Sequence, residues 1–155
     1  MGFDFTEATL DTTVLIKAII PPRRKKSDAL YNEQFRLHTI AKAVVSRVEE
    51  GRLSMNVPAV AIIEAAAVGA RLTGKEQRGV DAAVYVRANG NIIDEAALLE
   101  RAVEIAAKIK ISGFDSLFIA CAGVTGSVLV TDDKGMHEAA IKSGIRAELL
   151  RQMSI

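Results

Sequence analysis

Short β-prone runs recur along this chain, each followed by a segment of helix length, and that alternation constrains the fold more than any other feature. FTEATL at 5–10, Leu53 to Val57, Asn91 to Ile93 and SVLVT at 127–131 read as strands. Ile145 starts a further short edge strand, with a helical reading of the last ten residues as the alternative. Parallel strands need crossovers long enough to hold a helix. The pattern therefore predicts an α/β chain: a three-layer α/β/α sandwich around a central, mainly parallel sheet. With 155 residues, no internal repeat and no long linker, a single domain over 1–155 is expected.

The intervening segments carry helix signals. VLIKAII follows the polar Asp11, Thr12 and Thr13, and Pro21 and Pro22 close it. From Asp28 to about Glu49, Leu37, Ile40, Val44 and Val48 recur at intervals of three and four, and Gly51 stops the helix. Pro58 is placed at the opening of the next helix, AVAIIEAAAVGARL, where its missing N–H is harmless. Gly74 ends that segment, and a further helix covers about 75–87 before Gly90. Asp94 caps a helix with Leu98, Ala102, Ile105 and Ile109 on one side; another spans DSLFIACAGV; a last one begins near Met136 after the polar break DDKG. The region at about 21–52, with PPRRKK and a long helix, is an extension of basic and helical character.

Composition removes several classes of function. Aromatic residues are 5% of the chain and Trp is absent, so Ala, Val, Ile and Leu must build the core. The balance of 20 Lys plus Arg against 19 Asp plus Glu leaves a net charge of +1, which argues neither for nor against nucleic acid. No run approaches the roughly 20 apolar residues of a membrane span. The N-terminal segment carries Asp4 and Glu7 where a secretory signal carries bases, so a cytoplasmic protein without membrane attachment is expected. The Met1-Gly2 start does not by itself imply myristoylation. Cys121 lies in an apolar run and reads as a buried, reduced thiol. No GxGxxG or GxxxxGK[ST] motif supports nucleotide machinery, and no Cys/His cluster supports structural zinc.

Candidate chemistry lies in acids whose contexts differ from those on solvated helix faces. Asp11 follows the first strand, at the edge where open parallel sheets place ligands, and reads as a helix cap or a ligand. Glu64 is the only charged residue between Val57 and Ala70, on a helix of small apolar residues where an unpaired carboxylate is costly to bury. Asp115 is alone between Lys110 and Asp132, and reads as a cap or a site acid. Asp132 and Asp133 follow the strand SVLVT, where at least one is expected to face the crevice. Convergence of several carboxylates calls for a hard divalent cation to offset their repulsion. Lys17, Arg23, Arg24, Lys25, Lys26 and Lys134 are candidate contacts to phosphate, with a solvated loop as the rival reading for the basic run. His38 and His137 read as surface or packing residues, with a phosphate-facing role the lesser alternative for His137.

Taken in order, TLDTTVLI at 9–16, NVPAVAIIEAAA at 56–67, SGFDSLFIACA at 112–122 and VLVTDDKGMHEAA at 128–140 resemble the PIN-domain ribonucleases. The resemblance is strongest to the VapC-like toxins of prokaryotic toxin–antitoxin pairs. It implies that Asp11, Glu64, Asp115 and Asp133 form a catalytic centre that binds Mg²⁺ or Mn²⁺, with Asp132 as a reserve ligand and Thr13 and Thr131 in support. It also implies hydrolysis of RNA phosphodiesters leaving 5′-phosphate and 3′-hydroxyl ends, an antitoxin partner and a homodimer. An RNA-processing nuclease outside a toxin pair, a small metal-dependent phosphatase and a non-catalytic, metal-stabilised RNA-binding module are the alternatives.

Overall fold

A computed structural model describes residues 3–155, so the Met1-Gly2 start lies outside the described residues. Five parallel strands form one sheet in the order β3-β2-β1-β4-β5, where β1 is Glu7–Leu10, β2 Ser54–Pro58, β3 Asn91–Ile93, β4 Val128–Thr131 and β5 Ala147–Leu149. The helices are α1 Thr12–Ile19, α2 Ala29–Glu49, α3 Val60–Thr73, α4 Glu76–Asn89, α5 Glu95–Ile109, α6 Gly113–Thr125 and α7 Lys134–Lys142. The chain moves from β1 out to β3 and then crosses back to β4. Right-handed crossovers therefore put α1 to α4 on one face and α5 to α7 on the other, which is the three-layer sandwich expected.

The central strands are apolar because both their faces are covered. Ala8, Leu10, Val57, Leu129 and Val130 are fully buried, as are Val14 and Leu15 of α1 and Phe118 and Ile119 of α6. The buried hydroxyls of β1 and the turn before β4 satisfy one another. Thr9 bonds Ser127 at 2.8 Å, Ser127 bonds Thr125 at 2.8 Å, and Thr9 reaches the Cys121 sulfur at 3.6 Å. Burial pushes the Cys121 thiol up to about 11, so the buried, inert reading of this cysteine holds.

Several boundaries differ from the sequence reading for identifiable reasons. Pro58 does not open α3. It ends β2 opposite Ile93, and the helix begins at Val60 behind Ala59. The last helix begins at Lys134 rather than near Met136, because Asp133 accepts from the Met136 amide and so caps it. The edge strand starts at Ala147, two residues after Ile145, and a single 3-10 turn at Leu150–Gln152 follows it. Asp94 caps α5 as expected, accepting from the Ala96 amide, and Asp28, where the long helix was expected to begin, caps α2 by accepting from the Tyr31 amide.

Helices α3 and α4 form a tight hairpin around paired glycines. A Cβ on Gly69 would stand 3.2 Å from the Gly79 Cα, and one on Gly79 would stand 2.3 Å from the Ala66 carbonyl oxygen. This close crossing holds α3, and with it Glu64, beside α1.

Candidate metal centre

The topological switch of the sheet lies where β1 meets β4, and open α/β sheets bind ligands at the carboxyl ends of such strands. Asp11 leaves the end of β1 there and is hydrogen-bonded through its amide to the Val130 carbonyl at 3.0 Å. It occupies the N-cap position of α1 but makes no side-chain cap bond. Its carboxylate instead accepts from Thr13 Oγ1 at 2.6 Å and Thr131 Oγ1 at 2.8 Å, both at Oδ2. These hydroxyls also receive loop amides: Thr13 that of Asp132 at 3.2 Å, and Thr131 that of Asp133 at 3.0 Å. The two threonines thus lock the loop after β4 to Asp11.

Glu64 is half-buried on α3 and accepts from Thr12 Oγ1 at 2.7 Å. Thr12 was not singled out from the sequence. Its signal lay in being a buried hydroxyl next to Asp11, with no apolar role to explain its place at the start of α1. Asp115 sits half-buried in the first turn of α6 but does not cap it, because Ser112 accepts from the Asp115 amide at 3.1 Å. Asp133 is exposed and does cap α7.

Asp11, Glu64, Asp115 and Asp133 all line one open cleft of about 490 Å³. Their electrostatics couple them in two pairs, Asp11 with Glu64 and Asp115 with Asp133. Burial raises the pKa of Asp11 and the charge of Glu64 adds to the rise, while the Thr13 and Thr131 hydroxyls oppose it. Burial likewise raises that of Asp115, assisted by the charge of Asp133. Such a set of hard oxygen donors fits a divalent cation of the Mg²⁺ or Mn²⁺ type. Among the described residues, no three Asp, Glu, His or Cys side chains stand close enough together to hold a metal ion.

Asp132 turns away from the cleft. Its buried carboxylate pairs with Arg151, Nε to Oδ1 at 3.0 Å and Nη2 to Oδ2 at 3.1 Å, and with Lys17 at 3.3 Å. The reserve-ligand reading of Asp132 therefore gives way to an ion-pair role, because both oxygens are committed to cations. Of the candidate basic contacts, Lys17 and Arg23 line the cleft. Arg24 is held by Asp28 and Lys134 lies near Glu138, while Lys25 and Lys26 are exposed outside the lining. His38 does line the cleft, and His137 does not.

Comparison with known proteins bears on the fold and the family. The family model described as PIN domain matches residues 8–142. No curated protein matches the chain significantly. Among solved structures, the chain is similar to VapBC2 from Rickettsia felis bound to a DNA fragment from its promoter, with a TM-score of 0.61, 14% identity, and coverage of 92% of this chain and 98% of that one. It is also similar to FitAB bound to an IR36 DNA fragment, with a TM-score of 0.61, 15% identity, and coverage of 96% and 98%. FitAcB from Neisseria gonorrhoeae gives a TM-score of 0.55, 16% identity, and coverage of 94% and 99%. Among the described residues, no helix is long and apolar enough to cross a membrane.

Proposed function

The chain belongs to the PIN-domain family, a family of nucleases, and from that premise we propose that it is a Mg²⁺- or Mn²⁺-dependent endoribonuclease and the toxin of a toxin–antitoxin pair. The observation that carries this reading is the lining of one cleft by Asp11, Glu64, Asp115 and Asp133 at the carboxyl edge of the parallel sheet. Asp11, Asp115 and Asp133 would hold the ion directly or through water, and Glu64 would ligate it or orient the attacking water. When bound, the ion supplies positive charge for the phosphoryl oxygens and lowers the pKa of a coordinated water.

The protein's own contribution is positional. Thr13 and Thr131 fix the Asp11 carboxylate in one orientation, and Thr12 does the same for Glu64. Arg23, lining the same cleft, supplies a cationic contact for RNA phosphates beside the acids, while Lys17, also in the lining, is paired with Asp132 and adds its charge at closer range to the loop after β4.

The relatives named above come from two-component assemblies, which supports an antitoxin as the partner here. Exposed Ile63 on α3, Val80 and Val84 on α4, and Leu99 and Val103 on α5 offer apolar area for a homodimer. A single domain acting on cytoplasmic RNA completes the proposal.

Purified protein should cut RNA internally with Mg²⁺ or Mn²⁺, and Asp11→Asn should abolish cutting while leaving the circular dichroism spectrum unchanged. Undiminished cleavage in EDTA would falsify the metal mechanism. Turnover of phosphomonoesters without internal RNA cleavage would favour a phosphatase, and RNA binding without product would favour a non-catalytic module. Cleavage with no co-encoded inhibitor would move the protein from toxin to RNA processing.

A further inference from the structure

Beyond the acids, the cleft continues as a trough between three helices. Glu64, Val68 and Leu72 stand one turn apart on α3, a stripe about 12 Å long at 1.5 Å per residue. Helix α1 runs alongside in the same sense, as two bonds at opposite ends show: Thr12 to Glu64 at 2.7 Å, and Arg23 to the Thr73 carbonyl at 3.4 Å. Ile16, Ile20, Pro21 and Pro22 complete an apolar floor. The remaining wall is α2, which presents Gln34 and His38 one turn apart.

His38 is held in one tautomer. Its Nδ1 lies 2.6 Å from the Lys17 carbonyl, which can only accept, so Nδ1 carries a hydrogen and Nε2 remains for a ligand. Gln34 and His38 belong to a longer stripe. At about 100° per residue, Tyr31, Gln34, Phe35 and His38 fall along one flank of the buried face of α2. Tyr31 stacks on Phe35 with centroids 6.2 Å apart, and the Phe35 ring lies 6.4 Å from that of His38. Phe35 is 52% exposed and stands on the rim of the trough rather than in it, facing a separate hollow shared with the C-terminal Met153 and Ile155.

Accepting the ribonuclease reading above, we propose that α2 is the element that reads single-stranded RNA. One nucleobase next to the scissile phosphate seats on the apolar floor of the trough, its edge hydrogen-bonded by the Gln34 amide and His38 Nε2. The adjoining base leaves the trough over the rim of α2 and stacks on Phe35, and Arg23 meets the phosphate between. Charge and chemistry favour RNA as the occupant. The trough joins an acidic end to the Arg23 guanidinium, its wall offers a donor and acceptor pair of the kind base edges require, and the Phe35 ring follows His38 on the rim. A duplex would keep its base faces inside the helix and could use only the cationic contact to phosphate. The extension at 21–52 thereby acquires a role, since it supplies Arg23 and the whole reading wall.

The test is fluorescence polarisation with labelled single-stranded homopolymer oligoribonucleotides and an RNA duplex of the same charge, in EDTA and then with Mg²⁺. Wild type should bind single strands in preference to the duplex and should distinguish among the homopolymers. Phe35→Ala should weaken single-strand binding by about fivefold or more, and Phe35→Leu, which keeps apolar area without a ring, should do nearly the same. Neither should change the slope of affinity against salt, whereas Arg23→Gln should flatten it. Gln34→Ala and His38→Ala should erase the preference among bases. Equal binding of duplex and single strand, or α2 variants that bind as wild type, would overturn the proposal. If RNA is still cleaved in that case, the ribonuclease reading stands alone. Base-dependent binding with no cleavage under any metal would instead sink the ribonuclease reading and leave the RNA-reading wall. Saturable binding of an apolar peptide where no oligonucleotide binds would assign the trough to a protein partner and also overturn the proposal.

Discussion

Removing Arg151 should destabilise the protein more than neutralising its partner Asp132, although both changes break the same ion pair. The Asp132 side chain is 4% exposed, while those of Arg151 and Lys17 are 51% and 36% exposed. Arg151→Ala strips three bonds from Asp132, including one to its carbonyl at 3.1 Å, and leaves a buried carboxylate with Lys17 as its remaining cation. Orphaning a buried charge completely costs about 3–5 kcal/mol; with Lys17 retained, about 2–3 kcal/mol is expected. Asp132→Asn removes the charge, and both cations, being partly exposed, recover water. The amide still accepts one bond and the carbonyl is untouched, so the cost should be about 0.5–1.5 kcal/mol. Once the buried charge is gone, Arg151 has little left to neutralise. The double variant should therefore lie within about 1 kcal/mol of Asp132→Asn alone. Urea unfolding of the metal-free protein measures all three. Asp132→Asn costing as much as Arg151→Ala, or a double variant equal to the sum of the singles, would refute the reasoning.

Two further outcomes follow from the packing and from the acids. Gly79→Ala should destabilise by about 2 kcal/mol or more, because the new Cβ would stand 2.3 Å from the Ala66 oxygen and overpacking outweighs the gain of about 1 kcal/mol in helix propensity. Gly123→Ala, whose nearest neighbour at 3.2 Å is the flexible end of Ile145, should be neutral or stabilising; equal melting shifts for the two variants would contradict this account. For Asp11, burial and Glu64 raise the folded pKa above the ordinary 3.8, so the metal-free fold holds that proton more tightly than the unfolded chain does. Stability conferred by the protonated group is present at low pH and falls as pH rises from the ordinary value through the raised one. Asp11→Asn should remove that fall and leave the metal-free protein at least as stable as wild type near neutral pH. A variant clearly less stable in urea at neutral pH would sink the idea that this carboxylate is held at a cost until a cation arrives.

Strand and helix order was legible because both depend on local signals. Turn residues such as Gly51, Gly74 and Gly126 stand at positive φ where helices or their following turns end, and Asp94 caps the helix expected of it. Positions decided by partners were not legible. Pro58 could serve a helix start or a strand end, and only the pairing of β2 with β3 selected the strand. Asp132 and Asp133 are adjacent and chemically alike. What separates them is Arg151, 19 residues downstream, which reaches back only after β5 has paired with β4 and the chain has turned at Leu150–Gln152.

The candidate site divides along the same line. Its acids lie at element boundaries, so the topology alone carries Asp11 and Asp133 to one sheet edge and sets Glu64 and Asp115 on helices of opposite layers facing it. The hydroxyls that orient two of these acids act across 52 residues for Thr12 and Glu64, and across 120 for Thr131 and Asp11, which no local pattern encodes. Helix α2 lies between these cases. The periodicity that marks Leu37, Ile40 and Val44 for burial also commits Tyr31, Gln34, Phe35 and His38 to a flank, because the two stripes are parts of one rigid helix. Which flank faces the acids depends on the packing of α2 against α1, where His38 meets the Lys17 carbonyl. Burial of Leu37 and Ile40 on the opposite side of the same helix sets Gln34 and His38 along the cleft and leaves Phe35 on its rim, 6.4 Å from the His38 ring, a placement that none of these residues' local sequence encodes.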